Sequence, residues 1–257
     1  MEKEFDVCRE KRGKGFVYTD THGNPIKDVE KLKYVKGLKI PPAYRNVKIS
    51  SKKHSKRYAM GLDDKNRKQY LYSNEWNQEA AKQKNVHLKD FSDALPIIKK
   101  DMNRNMSKKI VDNNSARDKL IATALGLIMD CNFRVGSDKG VDTYNSYGVS
   151  TLNKEHCNKV GGRYNIKFVG KKGVTNESRV NNKRLNNALN EIISINDNSH
   201  LFHVKNREKG INVKVGASDI NDFLKDYGDF STKNFRTWMA NTHFIDNMMG
   251  ALESGDF

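Results

Sequence analysis

Acidic residues are in short supply in this 257-residue chain: 31 Asp and Glu stand against 47 Lys and Arg, a formal net charge of +16. Cysteine is scarcer still. The three thiols, Cys8, Cys131 and Cys157, lie far apart with no paired spacing, which excludes a disulfide framework and a cysteine-based zinc knuckle. The sequence shows no acidic cluster of the kind that holds a catalytic metal. His200 and His203 are three residues apart but have no further ligands nearby, so they read as surface or packing histidines, and neither metal nor cofactor is expected. Long apolar runs are missing too. The longest, residues 120–129, is too short to cross a bilayer, and the opening MEKEFDVCREKRGKG contains no apolar signal segment. A soluble intracellular protein without a membrane partner is the expectation.

Positive charge is what the chain has in excess, and its sequence pI is about 9.6. Neutralising phosphates with release of counterions supplies most non-specific nucleic-acid affinity, so DNA or RNA is the partner this balance favours. The plainer reading is a lysine-rich solvated surface. Mean hydropathy is low, at −0.82, yet clear apolar periodicities survive and the chain reads as folded. Its length suits a small domain followed by a larger one.

The pattern divides near residues 77–87, the one stretch that reads as a hinge. Before it come short β-like runs broken by turns: GFVYTDTHGNPI around His22 to Pro25, LKIPPAYRNVKIS with two prolines at the entry to a strand, and RYAMGLDDKNRKQYLY with arms flanking Asp63 to Asn66. After it the period becomes helical. LKDFSDALPIIKKDM puts Leu88, Phe91, Leu95 and Ile98 on one face, with Pro96 as a kink or boundary. RDKLIATALGLIMD is apolar nearly all round and predicts a buried central helix. RYNIKFVGKKGVTNESRV predicts a β-hairpin turning at Gly170 to Gly173, and KRLNNALNEIISI a helix with Leu185, Leu189, Ile192 and Ile193 inward. Ser218 or Asp219 is a candidate cap for INDFLKDYG, and Ser231 or Thr232 for the last helix. The fold class is α+β: an antiparallel β-rich domain over residues 1–80, then a mainly α-helical domain over 81–257 carrying a β-hairpin.

Three cations occupy suggestive places: Arg134 just after the buried helix, Lys171 at the hairpin tip, and Arg236 near the start of the last helix. Two guanidiniums can fork onto the non-bridging oxygens of a pentacoordinate phosphorane, and a lysine can protonate a leaving alkoxide. Singly, each has an ordinary explanation: a helix-dipole partner, a solvated turn residue, an arginine stacked on Trp238.

Taken in order, CNFRVGSDKGVDTYNSYGVSTL, IKFVGKKG and TKNFRTWMA resemble the ordered motifs of type IB DNA topoisomerases of the small poxvirus and bacterial kind. GKGFVYTDTHGNPI, IPPAYRNVKIS and GLDDKNRKQYLY resemble the β domain with which that family clamps one side of a duplex. The likeness runs from about Gly13 to Trp238. It implies relaxation of supercoiled duplex DNA without ATP or metal: a tyrosine attacks a phosphate, a 3′-phosphotyrosine keeps the bond energy, the free 5′ strand swivels, and the reverse reaction reseals it. Carried over by motif, Arg134 and Arg236 would stabilise the phosphorane and Lys171 would be the general acid. Arg67, Lys68, Gln69, Tyr70 and Tyr72 would contact DNA, the cations on phosphates and the amide and aromatics in the major groove. A monomer wrapping the duplex is the implied form. The viral likeness and the Asn-Lys bias point to a large DNA virus as source, and so to virion or viral-factory cytoplasm as location.

The family's third oxyanion donor, a histidine, and its nucleophilic tyrosine are expected well downstream of FRTW. His243 lies only seven residues after Arg236 and no tyrosine follows; the last is Tyr227. Neither role is assigned to any residue here. The chain alone is therefore expected to bind DNA without cleaving it, with a separate C-terminal fragment as a candidate partner. The alternatives are a non-catalytic duplex-binding relative and, more weakly, a tyrosine recombinase, whose second arginine normally sits in a His-x-x-Arg context that NFRTW lacks.

Overall fold

The computed structural model describes residues 4–254. The chain forms two compact units, Met1–Val86 and His87–Phe257.

The first unit is a five-stranded antiparallel sheet in the order β2-β1-β3-β4-β5. Its strands are β1 (Val7–Arg12), β2 (Gly15–Asp20), β3 (Arg45–Ile49), β4 (Arg57–Leu62) and β5 (Lys68–Tyr72), and helix α1 (Val29–Gly37) lies between β2 and β3 in sequence. Gly13 starts the two-residue turn joining β1 to β2 at φ +58°, the left-handed conformation such turns demand. Val7, Val35, Val47, Ile49 and Ala59 form the buried core. The expected strands at GFVYTD, RNVKI, RYAMGL and KQYLY are present, but β1 and α1 had no sequence counterpart. Strand β1 was hidden because its second inward residue is Arg9, buried although cationic. Its guanidinium donates to the carbonyls of Ile40 (2.8 Å), Pro41 (2.9 Å) and Tyr44 (3.1 Å). A polar residue thus fills a core position by tying down the Pro41-Pro42 loop, and the apolar alternation vanishes from the sequence.

Helix α2 (Asn74–Ser107) begins in the first unit and continues into the second. Residues 77–87, expected to be a hinge, are helical. Pro96 sits inside α2 and no boundary falls there. The second unit continues with α3 (Asn113–Cys131), α4 (Asp138–Tyr144), strands β6 (Cys157–Val160), β7 (Arg163–Val169) and β8 (Thr175–Arg179), and α5 (Lys183–Ile195). A small hairpin of β9 (His203–Asn206) and β10 (Ile211–Lys214) follows, then α6 (Ala217–Lys225) and α7 (Thr232–Ser254).

Helix α3 is the buried centre, as its all-round apolar character predicts; Leu120, Ala122, Leu125 and Ile128 are fully inaccessible. Asp112 caps it, its carboxylate accepting from Ser115 N–H at 2.7 Å. The predicted hairpin exists but is part of a three-stranded sheet in the order β6-β7-β8. Helix α6 starts at Ala217, two or three residues before the start that a cap at Ser218 or Asp219 implies. Gly216 is its N-cap, and Asp219, in the first turn, reaches back to Gly216 N–H at 2.8 Å. In the first turn of α7, Asn234 performs the same service, its side-chain oxygen accepting from Ser231 N–H at 2.9 Å and Ser231 Oγ–H at 3.1 Å. Ser231 is therefore the capping position, with the bonding direction reversed from the simplest expectation.

Candidate active site

Arg134 is placed by three local devices. Helix α3 ends at Asn132, in the left-handed conformation at φ 58°, which swings the chain sharply off the helix axis. Phe133 is then buried edge-on against Phe168 of β7, with ring centroids 4.9 Å apart, leaving Arg134 exposed. Finally the backbone of 134–136 pairs with that of 148–150: Val149 N–H donates to Arg134 O (2.9 Å) and Ser150 N–H to Val135 O (2.7 Å). Only glycine permits this approach. A Cβ on Gly148 would lie 2.4 Å from the Gly136 Cα and 2.8 Å from Arg134 O. The two halves of the first motif, RVG and YGVSTL, are thus one structural unit.

The turn bearing Lys171 is rooted in that unit. Tyr147 N–H donates to Val169 O at 2.9 Å, one residue before the turn, and the turn closes with Gly170 N–H on Val174 O (2.8 Å) and Gly173 N–H on Gly170 O (3.1 Å). Lys171 is exposed and its side chain makes no hydrogen bond or ion pair among the described residues.

Arg236 comes from α7, whose first turn is anchored by Phe235, fully buried and 5.0 Å from the Phe91 ring. Its Nη1 donates to the carbonyl of Asn132 at 2.6 Å. The same left-handed residue that redirects the chain toward Arg134 therefore receives Arg236. Partial burial, and secondarily the charge of Arg134, hold the Arg236 guanidinium below the usual arginine range. These two cations, 102 positions apart in the sequence, lie near enough for the charge of Arg134 to act on Arg236, and no carboxylate is paired to either among the described residues. A phosphate-sized anion between them would relieve that repulsion and accept forked hydrogen bonds.

The five residues expected to contact nucleic acid separate into two sets. Arg67 and Gln69 are held by Asp63: Arg67 Nε donates to Asp63 Oδ2 at 2.8 Å and Gln69 Nε2 to the same oxygen at 3.0 Å. That arrangement, with Arg67 the largest contributor, depresses the Asp63 carboxyl to about 2. Strand alternation puts Lys68, Tyr70 and Tyr72 on the opposite face. There Tyr70 and Tyr72 lie 6.0 Å apart, Tyr72 lies 6.3 Å from Trp76, and Arg57 and Lys56 cover Tyr70 (5.3 Å) and Trp76 (3.3 Å). The amide thus does not share a face with the aromatics. Sequence reasoning missed Lys56, Arg57 and Trp76: the pairing of β4 with β5, Arg57 opposite Tyr72, brings the two cations to this face, and the start of α2 brings Trp76.

The remaining candidates are structural. Tyr227 donates to Asp101 at 2.7 Å, and burial with that bond raises its hydroxyl far above the ordinary tyrosine range. His203 bonds Asn212 at 3.1 Å, and the described residues contain no group of three or more side chains able to hold a metal. The cysteines are free; burial pushes the Cys131 thiol up to about 11 and Cys157 to about 12. His243 is exposed on α7. No helix among the described residues is long and apolar enough to cross a membrane.

A helical unit that carries Arg134 and Arg236 follows a β-rich one, and comparison with known proteins gives this arrangement its family. The profile of the eukaryotic DNA topoisomerase I catalytic core matches residues 73–254, and that of the bacterial DNA topoisomerase IB N-terminal domain matches residues 15–63. DNA topoisomerase 1B of Acanthamoeba polyphaga mimivirus is 28% identical over 247 residues, spanning 95% of this chain and 72% of that protein. DNA topoisomerase 1 of Mycosarcoma maydis is 26% identical over 164 residues, 57% of this chain and 16% of the fungal protein. Among solved structures, the XerH site-specific recombinase bound to its difH substrate in a pre-cleavage complex gives a TM-score of 0.37 at 12% identity, over 58% of this chain and 42% of that one. The chain belongs to the type IB DNA topoisomerase family, with the catalytic core of the eukaryotic enzyme over its helical part.

Proposed function

We propose that this chain holds duplex DNA and presents the cationic half of a strand-transfer site, with Arg134 and Arg236 on the non-bridging oxygens of the reacting phosphate and Lys171 as the acid for the leaving 5′-oxygen. The bond that ties Arg236 to the carbonyl of Asn132, two residues before Arg134, carries this reading. Negative charge grows on the phosphorane oxygens as the transition state forms, so fixed guanidiniums stabilise it more than the ground state. A solvated lysine on a glycine-flanked turn can reach a leaving alkoxide and give up a proton. In the complete reaction a tyrosine attacks, a 3′-phosphotyrosine stores the bond energy, and the strand rotates before resealing, which relaxes supercoils without ATP. No tyrosine follows Arg236 in this sequence, and Tyr227 is committed to Asp101. We read the chain as holding duplex DNA as a monomer; strand cleavage needs a tyrosine nucleophile, and none of the residues placed in the site here supplies it.

Duplex affinity measured across salt concentrations tests the binding. The log-log plot should slope downward steeply, and Arg134→Gln with Arg236→Gln should flatten it by about one to two contacts. A flat plot for the unaltered chain would overturn the reading. Supercoiled plasmid denatured directly after mixing should show neither relaxation nor protein joined to DNA 3′ ends; either product would show that the chain supplies its own nucleophile.

A further inference from the structure

At the opposite end of α3 from the paired arginines lies an open cavity of about 900 Å³ between the end of α2, α3 and one face of α5. Lys119, on its floor, is about 20 Å along the helix from Asn132, taking the usual helical rise for thirteen residues. Four cations line it, Lys109, Lys119, Lys183 and Arg184, against one carboxylate, Glu191. That carboxylate is spent. Glu191 Oε2 accepts from the buried Lys119 at 2.5 Å and Oε1 from Ile110 N–H at 2.9 Å. The amide oxygen of Asn190 is spent as well, accepting from Lys159 (2.8 Å) and the Tyr164 hydroxyl (3.0 Å), so its NH₂ is the group left to offer. The side chains of Lys109, Lys183 and Arg184 are exposed and make no hydrogen bond or ion pair among the described residues. The helix N-terminus beside them is already occupied, since Asn182 accepts from Arg184 N–H and Leu185 N–H.

The cavity holds the Glu191 carboxylate and the Asn190 oxygen in internal bonds and leaves three unpaired cations beside the uncharged amide of Asn187, which can donate as well as accept; that balance selects an anion. Three exposed cations, Lys109 from the α2–α3 connection and Lys183 and Arg184 from the start of α5, suit adjacent phosphoryl groups better than a single one. No aromatic side chain lines the walls, so nothing is there to stack on a base. The geometry points to a second anion site, separate from the paired arginines, that takes a compact oligophosphate, free or as the phosphate part of a nucleotide, and reads phosphates without reading the base.

Titration calorimetry of the full chain at constant ionic strength, with sodium tripolyphosphate as the probe, tests this. Saturable one-to-one binding is expected, weakened roughly tenfold or more by Lys183→Gln with Arg184→Gln. Arg134→Gln with Arg236→Gln should leave it unchanged. ATP and CTP should bind alike, which identifies a nucleotide's phosphates as an equivalent source; a strong preference for one base would overturn the phosphate-only reading. Lack of saturable heat would overturn the site, as would loss through the Arg134/Arg236 variant instead. If the Lys183/Arg184 variant loses duplex affinity in step with tripolyphosphate, the cavity is part of the duplex track and the proposal fails. Melting curves establish that the variant is folded, and Lys109→Gln, in the α2–α3 connection, repeats the test should it not be.

Discussion

At the residue scale, the site is built as much by residues without charge as by those with it. Arg134, Lys171 and Arg236 could be picked out of the sequence, but what aims them is Asn132 in a left-handed conformation, Phe133 against Phe168, and the contact between Gly136 and Gly148. The last makes a sharp prediction. In Gly148→Ala the new methyl would meet Gly136 and the Arg134 carbonyl, all backbone that cannot swing aside. The substitution should cost about 1–3 kcal/mol or more, as overpacking does, and should weaken duplex binding beyond that loss because Arg134 is displaced. Denaturant melts and a binding isotherm below the transition check both effects; wild-type affinity with wild-type stability would mean the loop reorganises freely. Arg9 teaches the converse lesson. It is an arginine doing the work of a core residue, and no rule that treats charge as surface could have placed it.

Among the elements, legibility followed periodicity. Helices α3 and α5 and strands β4 and β5 carry strong patterns and were readable; β9 and β10, four residues each, were too short to show one. The β4–β5 hairpin owes its turn to one carboxylate. Asp63 accepts from Lys65 N–H (3.0 Å) and Arg67 N–H (2.9 Å) as well as from the Arg67 and Gln69 side chains. Its pKa falls from an ordinary 3.8 to about 2. A depressed carboxyl pKa means the folded hairpin binds the ionised form preferentially. That contribution is fully present above about pH 4 and is lost as pH falls toward 2. Amide exchange or NMR shifts of residues 63–69 should therefore change between those limits, and Asp63→Asn should remove that dependence at the turn. An unchanged profile in the variant would assign the acid response to another group.

For the whole molecule, two cores of unequal size lie within one chain. The first unit buries five apolar side chains in its core cluster, whereas the second buries a continuous cluster running from Phe91 to Phe235. Stability tracks buried apolar area, so opening should be easier in the first unit. Hydrogen exchange should be markedly faster over residues 45–62 than over residues 120–128; equal protection would show that the units open together. By itself the sequence determined the excess of positive charge, the β-then-helix order and the central buried helix, because these depend on composition and local period. Only the tertiary structure decided that Arg236 bonds the carbonyl of Asn132, two residues before Arg134, that Gln69 is turned away from Tyr70 and Tyr72, and that Lys183 and Arg184 share a cavity with Lys109. Those facts rest on contacts between residues distant in sequence, and hydrophobic packing around α3, rather than any local preference, brings them together.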